Sequence, residues 1–148
     1  MEKSKHVWYV AGDNNYIKYG IVILSMIRQY HPEDNYYMLT DNPTEENLEL
    51  LKKYEIEFGH IELSSTFHKR GKTKWPNYCY WIFYGPVFFS DLGYNTCCSL
   101  DGDIACLRKI NLELLNEPFD IYVVPKKDGE PNTGVIFYNI KNLIDKCF

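Results

Sequence analysis

The sequence predicts an α/β fold in a single domain over residues 1–148, a mixed and mostly parallel sheet flanked by helices. Three observations predict it. The first sixty residues repeat β, α, β, α, β. An uncharged run of β-formers, YNTCCSL, follows and ends at Asp101. At 148 residues and 45% hydrophobic content, the chain can bury one core and not two comfortable ones.

HVWYVAG, 6 to 12, is β-branched and aromatic and ends on glycine and the polar DNN, as a buried strand entering a loop would. YIKYGIVILSMIRQY then spreads apolar residues over more than one face until Pro32, which suits a helix covered on several sides. A second strand is expected at 36 to 39. The following helix should open with Asn42 as N-cap, Pro43 at the first helical position and Glu45 completing a capping box. EIEFGHIEL, 55 to 63, alternates as a third strand. WPNYCYWIFYG reads as a buried helix that Gly85 and Pro86 kink or end, with PVFFSDLG continuing it. The central strand YNTCCSL covers 94 to 100. NLELLNE reads as a short helix, DIYVVPK and NTGVIFYN as strands around the turn DGEPN, and NIKNLIDKCF as the last helix.

A net charge of −4 leaves no broad basic face for a nucleic-acid backbone, and only KRGKTK, 69 to 74, is locally basic. MEKSKHVWYVAG is too polar for a secretory signal, and the longest apolar run, YCYWIFYGPVFF, is shorter than a bilayer span. The chain reads as soluble and cytoplasmic. Its five cysteines include no CxxC, and Cys97 and Cys98 would point to opposite faces of a strand, so reduced structural thiols are expected. The four histidines show no zinc-binding spacing. Thirteen tyrosines suit either a ring-rich core or a site that stacks rings.

SLDGDIACL carries the chemistry. On an extended segment Asp101 and Asp103 face the same side, with Gly102 keeping bulk away between them. Two carboxylates that close are costly unless a cation sits between them, and their oxygens suit Mg2+ or Mn2+, which accept phosphate oxygens as further ligands. A bland alternative is a surface turn, where Asp and Gly are expected.

In order along the chain, VWYVAGDNNYIKYGIVILSMIRQYHP, SLDGDIACLRKI and PNTGVIFYNIKNL resemble the opening strand and DxNY loop, the LDxD segment and the FNxGVxxxN segment of the GT-A sugar-nucleotide glycosyltransferases. Within them the chain is similar to glycosyltransferase family 8, the glycogenin and lipopolysaccharide galactosyltransferase group. The resemblance spans residues 6 to 143 and implies a GT-A-like, Rossmann-like domain. It implies that Ala11, Gly12, Asp13 and Asn15 hold the nucleoside, that Tyr16 stacks on its base, and that Asp101 and Asp103 bind manganese or magnesium with the diphosphate. Asn132 and Gly134 match the positions that line the donor sugar. The activity implied is transfer of a hexose from UDP-glucose or UDP-galactose to a hydroxyl of an unknown glycan or protein acceptor, with retention of configuration.

The family's basic residue near the donor phosphates has no counterpart in YWIFYG, so Lys74, or Lys69, Arg70 or Lys72, would supply that charge. The family's later histidine, which completes the metal shell, and its acceptor-binding part have no match in these residues. No catalytic nucleophile is assigned. A UDP-sugar-binding module without turnover, or a phosphatase that sets DxD after a strand, would use the same aspartates.

Overall fold

The computed structural model describes residues 5–61, 77–116 and 118–147. Its elements are β1 (His6–Ala11), α1 (Ile17–Arg28), β2 (Asn35–Leu39), α2 (Glu45–Lys53), β3 (Glu57–Gly59), α3 (Asn77–Asp91), β4 (Thr96–Leu100), a 3-10 turn (Leu112–Asn116), β5 (Ile121–Pro125), β6 (Pro131–Asn139) and α4 (Ile140–Cys147). Six strands form one sheet in the order β3, β2, β1, β4, β6, β5. The first four pair in parallel, and β6 runs antiparallel to both β4 and β5.

Period two in the strands divides the core into two layers. On one face Trp8, Val10, Met38, Cys98 and Phe137 pack under α1. On the other Val7, Tyr9, Cys97, Ile136 and Tyr138 pack with Trp81 and Phe89 of α3. Cys97 and Cys98 thus separate to opposite faces, both buried, and burial pushes both thiols well above their usual titration range. The expectation of reduced structural thiols agrees with the free Cys79, Cys97, Cys98 and Cys106.

The structure corrects three local expectations. The N-cap of α2 is Thr44, whose hydroxyl accepts from the Asn47 N–H at 3.3 Å. Asn42 instead turns the chain at φ 41°, a left-handed conformation that asparagine tolerates, and Glu45 is the first helical residue. The third strand is confined to 57–59 because Glu55, at φ 53°, is still turning out of α2; residues 62 and 63 lie outside the described residues. Within NLELLNE, Leu112–Asn116 form a 3-10 turn in place of the expected short helix.

α3 runs without a break through Pro86 to Asp91. Proline has no N–H to offer the carbonyl four residues back. That carbonyl belongs to Ile82, and it accepts instead from the hydroxyls of Tyr9 at 2.5 Å and Tyr138 at 3.0 Å. Among the described residues no helix is long and apolar enough to cross a membrane.

Candidate functional site

The chain lays β1, β2 and β3 outward in one direction, then crosses back to place β4 on the other side of β1. The segment after β4 packs on the face that α1 covers, where Ile104, Cys106 and Ile110 join its core, and the carboxyl ends of such parallel strands are where open α/β sheets bind ligands. A cleft of about 850 Å³ lies there. The β1–α1 connection gives it Ala11, Asn15, Tyr16 and Tyr19. The turn after β4 gives Asp101, Gly102 and Asp103, and α3 closes a wall with Cys79 and Ile82.

The β1–α1 loop is held by its own polar residues. The Asp13 carboxylate accepts from the backbone N–H of Asn15 at 2.9 Å and of Tyr16 at 3.3 Å, turning the chain into α1. Asn14 reaches sideways: its amide donates to the Asn42 carbonyl, and its oxygen accepts from the Thr44 N–H and the Asn47 amide, each at 2.9 Å. Gly12 leaves room beneath, since a Cβ there would lie 2.6 Å from the Cβ of Tyr16. Tyr16 and Tyr19, one helical turn apart, present half-exposed and exposed rings with centroids 6.1 Å apart.

Asp101 follows directly on β4, whose pairing with β6 carries it beside Gly134: the Asp101 N–H donates to the Gly134 carbonyl at 2.9 Å. The Gly134 N–H in turn donates to the Asn132 side-chain oxygen at 3.0 Å. A Cβ at 134 would come 3.2 Å from Asn132 Oδ1 and into ordinary contact, 3.5 Å, with Asp101 Oδ2. Partial burial, and then the charge of Asp103, raise the Asp101 carboxyl above its usual range. Among the described residues neither aspartate forms an ion pair, and no third His, Cys, Asp or Glu joins them.

This donor set fits a hard divalent ion. Two neighbouring carboxylates repel, one is held above its ordinary range partly by the other, and both lie at an open cleft where water and phosphate can complete the shell.

Of the residues expected at a site, Ala11, Asn15, Tyr16, Asp101 and Asp103 line the cleft. Gly12 and Asp13 shape the loop under Tyr16; Gly134 bonds Asp101 and Asn132 bonds Gly134, but neither is among the residues that line the cleft. Lys74 and the rest of KRGKTK lie outside the described residues. Sequence reasoning missed Tyr19, Cys79 and Ile82. Tyr19 had a signal, its spacing of three from Tyr16 on one helix face. Cys79 and Ile82 had none, because α3 is apolar on every side.

No family model matches the sequence, and no curated protein matches it. Solved structures do match. WbbM, a bifunctional glycosyltransferase in its apo form, superimposes with a TM-score of 0.70 over 99% of this chain and 33% of its own, at 16% identity. The galactosyltransferase LgtC, in complex with donor and acceptor sugar analogs, gives 0.67 over 92% and 58%, at 17% identity. The chain has the GT-A fold. A mannosyltransferase from Pyrobaculum calidifontis, in complex with GDP-Man and Mn2+, gives 0.55 over 98% of this chain and 47% of its own, at 8% identity. The GT-A likeness at these identities is one of fold, and the chain spans between 33% and 58% of the length of these structures.

Proposed function

We propose that the chain binds a nucleotide sugar in the cleft between β1 and β4 and transfers its hexose to an acceptor hydroxyl, as the donor-binding domain of a glycosyltransferase of the family 8 kind. One observation carries this reading: the Tyr16 ring and the Asp101–Asp103 pair share one cleft, with Gly102 between the carboxylates lying against that ring. An aromatic ring beside two carboxylates that a divalent ion could bridge to phosphate suits a nucleoside diphosphate, and the cleft falls within the usual range for small-molecule sites, roughly 300–1,000 Å³.

In this reading Tyr16 stacks on the base while Ala11, Gly12, Asp13 and Asn15 hold the nucleoside. UDP-glucose or UDP-galactose is the proposed donor. Asp101 and Asp103 would hold Mn2+ or Mg2+. Such an ion supplies Lewis-acid neutralisation of charge growing on the departing diphosphate. Asn132 and Gly134 are assigned to the donor sugar, where an amide bonds hydroxyls and a glycine leaves room; the Gly134 bond to Asp101 supports this. Lys74 adds positive charge near the phosphates. Configuration at the transferred carbon is retained, and the acceptor is a glycan or protein.

A second reading has an observation of its own. Asp101 and Asp103 are the acidic side chains among the described cleft residues, and both are committed to the cation, which leaves none of them as base or nucleophile. A binding module without turnover would look the same. Thermal shift with UDP, with and without Mn2+, on the parent and on Asp101→Asn with Asp103→Asn tests the common part. A metal-dependent rise absent from the double variant supports the donor site, since a ligand of the native state alone raises its melting point. No rise in the parent overturns both readings. Release of UDP from UDP-glucose or UDP-galactose then separates transferase from module.

A further inference from the structure

Pro86 strips the Ile82 carbonyl of its helical donor, and the fold answers with two buried phenols from two different strands. Tyr9 is fully buried and Tyr138 is 2% exposed, yet both hydroxyls converge on that one oxygen. They reach it because register aligns them: Tyr9 pairs with Ser99 and Tyr138 with Cys97, so on β4 their partners are two residues apart and share a face. Gly85 completes the arrangement. A Cβ there would stand 2.6 Å from Cζ and Oη of Tyr9, so only glycine lets the helix settle this close to the ring.

The residue held in this way is a cleft residue. Ile82 lines the cleft with Cys79, one turn before it on α3, opposite the turn that carries Asp101 and Asp103. A proline inside a helix ordinarily weakens the hold of the segment before it, because one link of the hydrogen-bond ladder is gone. Here the lost link is replaced by bonds to the sheet itself, to the strands on either side of β4. At Ile82 the α3 wall is thereby bonded to the sheet.

We infer that Tyr9 and Tyr138 are positioning residues for the nucleotide-sugar cleft: their hydroxyls, acting through the Ile82 carbonyl, set the α3 wall at the separation from Asp101 and Asp103 that the ligand needs. The inference rests on the reading of that cleft as the nucleotide site. Neither tyrosine touches the ligand.

The test uses UDP with Mn2+ as probe and measures Kd by calorimetry well below each variant's melting temperature, so that every variant is fully folded. Tyr9→Phe with Tyr138→Phe keeps both rings and removes both oxygens. The expected result is a rise in Kd of about tenfold, the worth of a lost buried hydrogen bond to a carbonyl then free to shift. Adding Pro86→Ala to the double variant returns an N–H to the Ile82 carbonyl and is expected to recover most of the affinity. A lowered melting temperature with unchanged Kd overturns the inference, since the tyrosines would then be structural alone. Failure of the parent to bind UDP overturns the cleft reading, and this inference with it. If the double variant does not fold, Tyr138→Phe alone decides, with about a threefold rise expected and an unchanged Kd counting against.

Discussion

The ring of Tyr16 lies against Gly102. A Cβ added at 102 would stand 3.1 Å from Cδ1 and 3.4 Å from Cε1 of that ring, so the loop after β1 and the turn between the two aspartates are in contact across the cleft. Gly102 was expected only to keep bulk away from a shared cation; it also makes room for the ring. Gly102→Ala asks the half-exposed Tyr16 to move by a few tenths of an ångström, which costs little stability. Gly102→Val asks for more. Under the proposed function, Mn2+-dependent UDP affinity should fall severalfold in the alanine variant and about tenfold or more in the valine variant, with melting temperatures within a few degrees of the parent. Calorimetric titration checks this, and a valine variant that binds as well as the parent would contradict it.

Asp101 makes a second prediction through its raised carboxyl. Burial and the Asp103 charge disfavour its ionised form in the fold, so the folded chain holds that proton at pH values where the unfolded chain has released it. Stability therefore falls as pH rises from the unfolded value of 3.8 through the folded one. At neutral pH the ionised Asp101 destabilises the metal-free protein. Asp101→Asn should then melt higher than the parent at pH 7 without metal, lose that advantage near pH 3.5, and fail to respond to Mn2+. Melting curves at the two pH values, with and without the ion, read all three effects.

The strand before Asp101 was legible because an uncharged run of β-formers has few other homes, and the opposite facing of Cys97 and Cys98 follows from period two alone. The start of α2 was not, since Asn42 and Thr44 are both good caps and only the backbone decides which one turns and which one caps. Nor was the start of β3, because nothing in the alternation of EIEFGHIEL announces a left-handed Glu55. Within the candidate site, Asp101, Asp103 and Tyr16 stand out by residue type, but the two aspartates lie on a turn and not on the extended segment from which their common facing was expected. Cys79 and Ile82 do not stand out, as a helix apolar all round does not say which side meets a cleft and which the sheet.

Asn14 ties the Tyr16 loop to the start of α2, and this connection can be cut separately from the helix cap. Its side chain bonds the Asn42 carbonyl, the Thr44 N–H and the amide of the buried Asn47. Asn14→Ala removes all three and should cost about 2 kcal/mol, lowering the melting temperature by about 5 °C. Thr44→Ala removes one cap bond and should cost about 1 kcal/mol. Only the first variant is expected to weaken UDP binding, because only Asn14 belongs to the loop that carries Tyr16. Equal losses of affinity in the two variants would show that the effect follows helix stability and not loop position.

His6 sets the acid limit of the fold. It is buried on β1 beside Trp8 and Phe137, with its Nδ1 2.7 Å from the Thr96 hydroxyl. Burial lowers its pKa to about 4, outweighing the attraction of Asp34, while His31 adds a smaller push in the same direction. The unfolded chain binds a proton at this residue near pH 6.5 and the folded chain does not until about pH 4, so stability is intact above 6.5 and is lost as pH falls between the two. The loss from this group between pH 7 and pH 5 is on the order of 2 kcal/mol. His31, lowered chiefly by burial, adds to the loss over the same range. His6→Gln can keep the contact with Thr96 but cannot titrate, and should remove most of the pH 7 to pH 5 difference in urea-unfolding free energy while leaving the His31 part. A variant that loses as much stability as the parent over that range would place the acid sensitivity elsewhere.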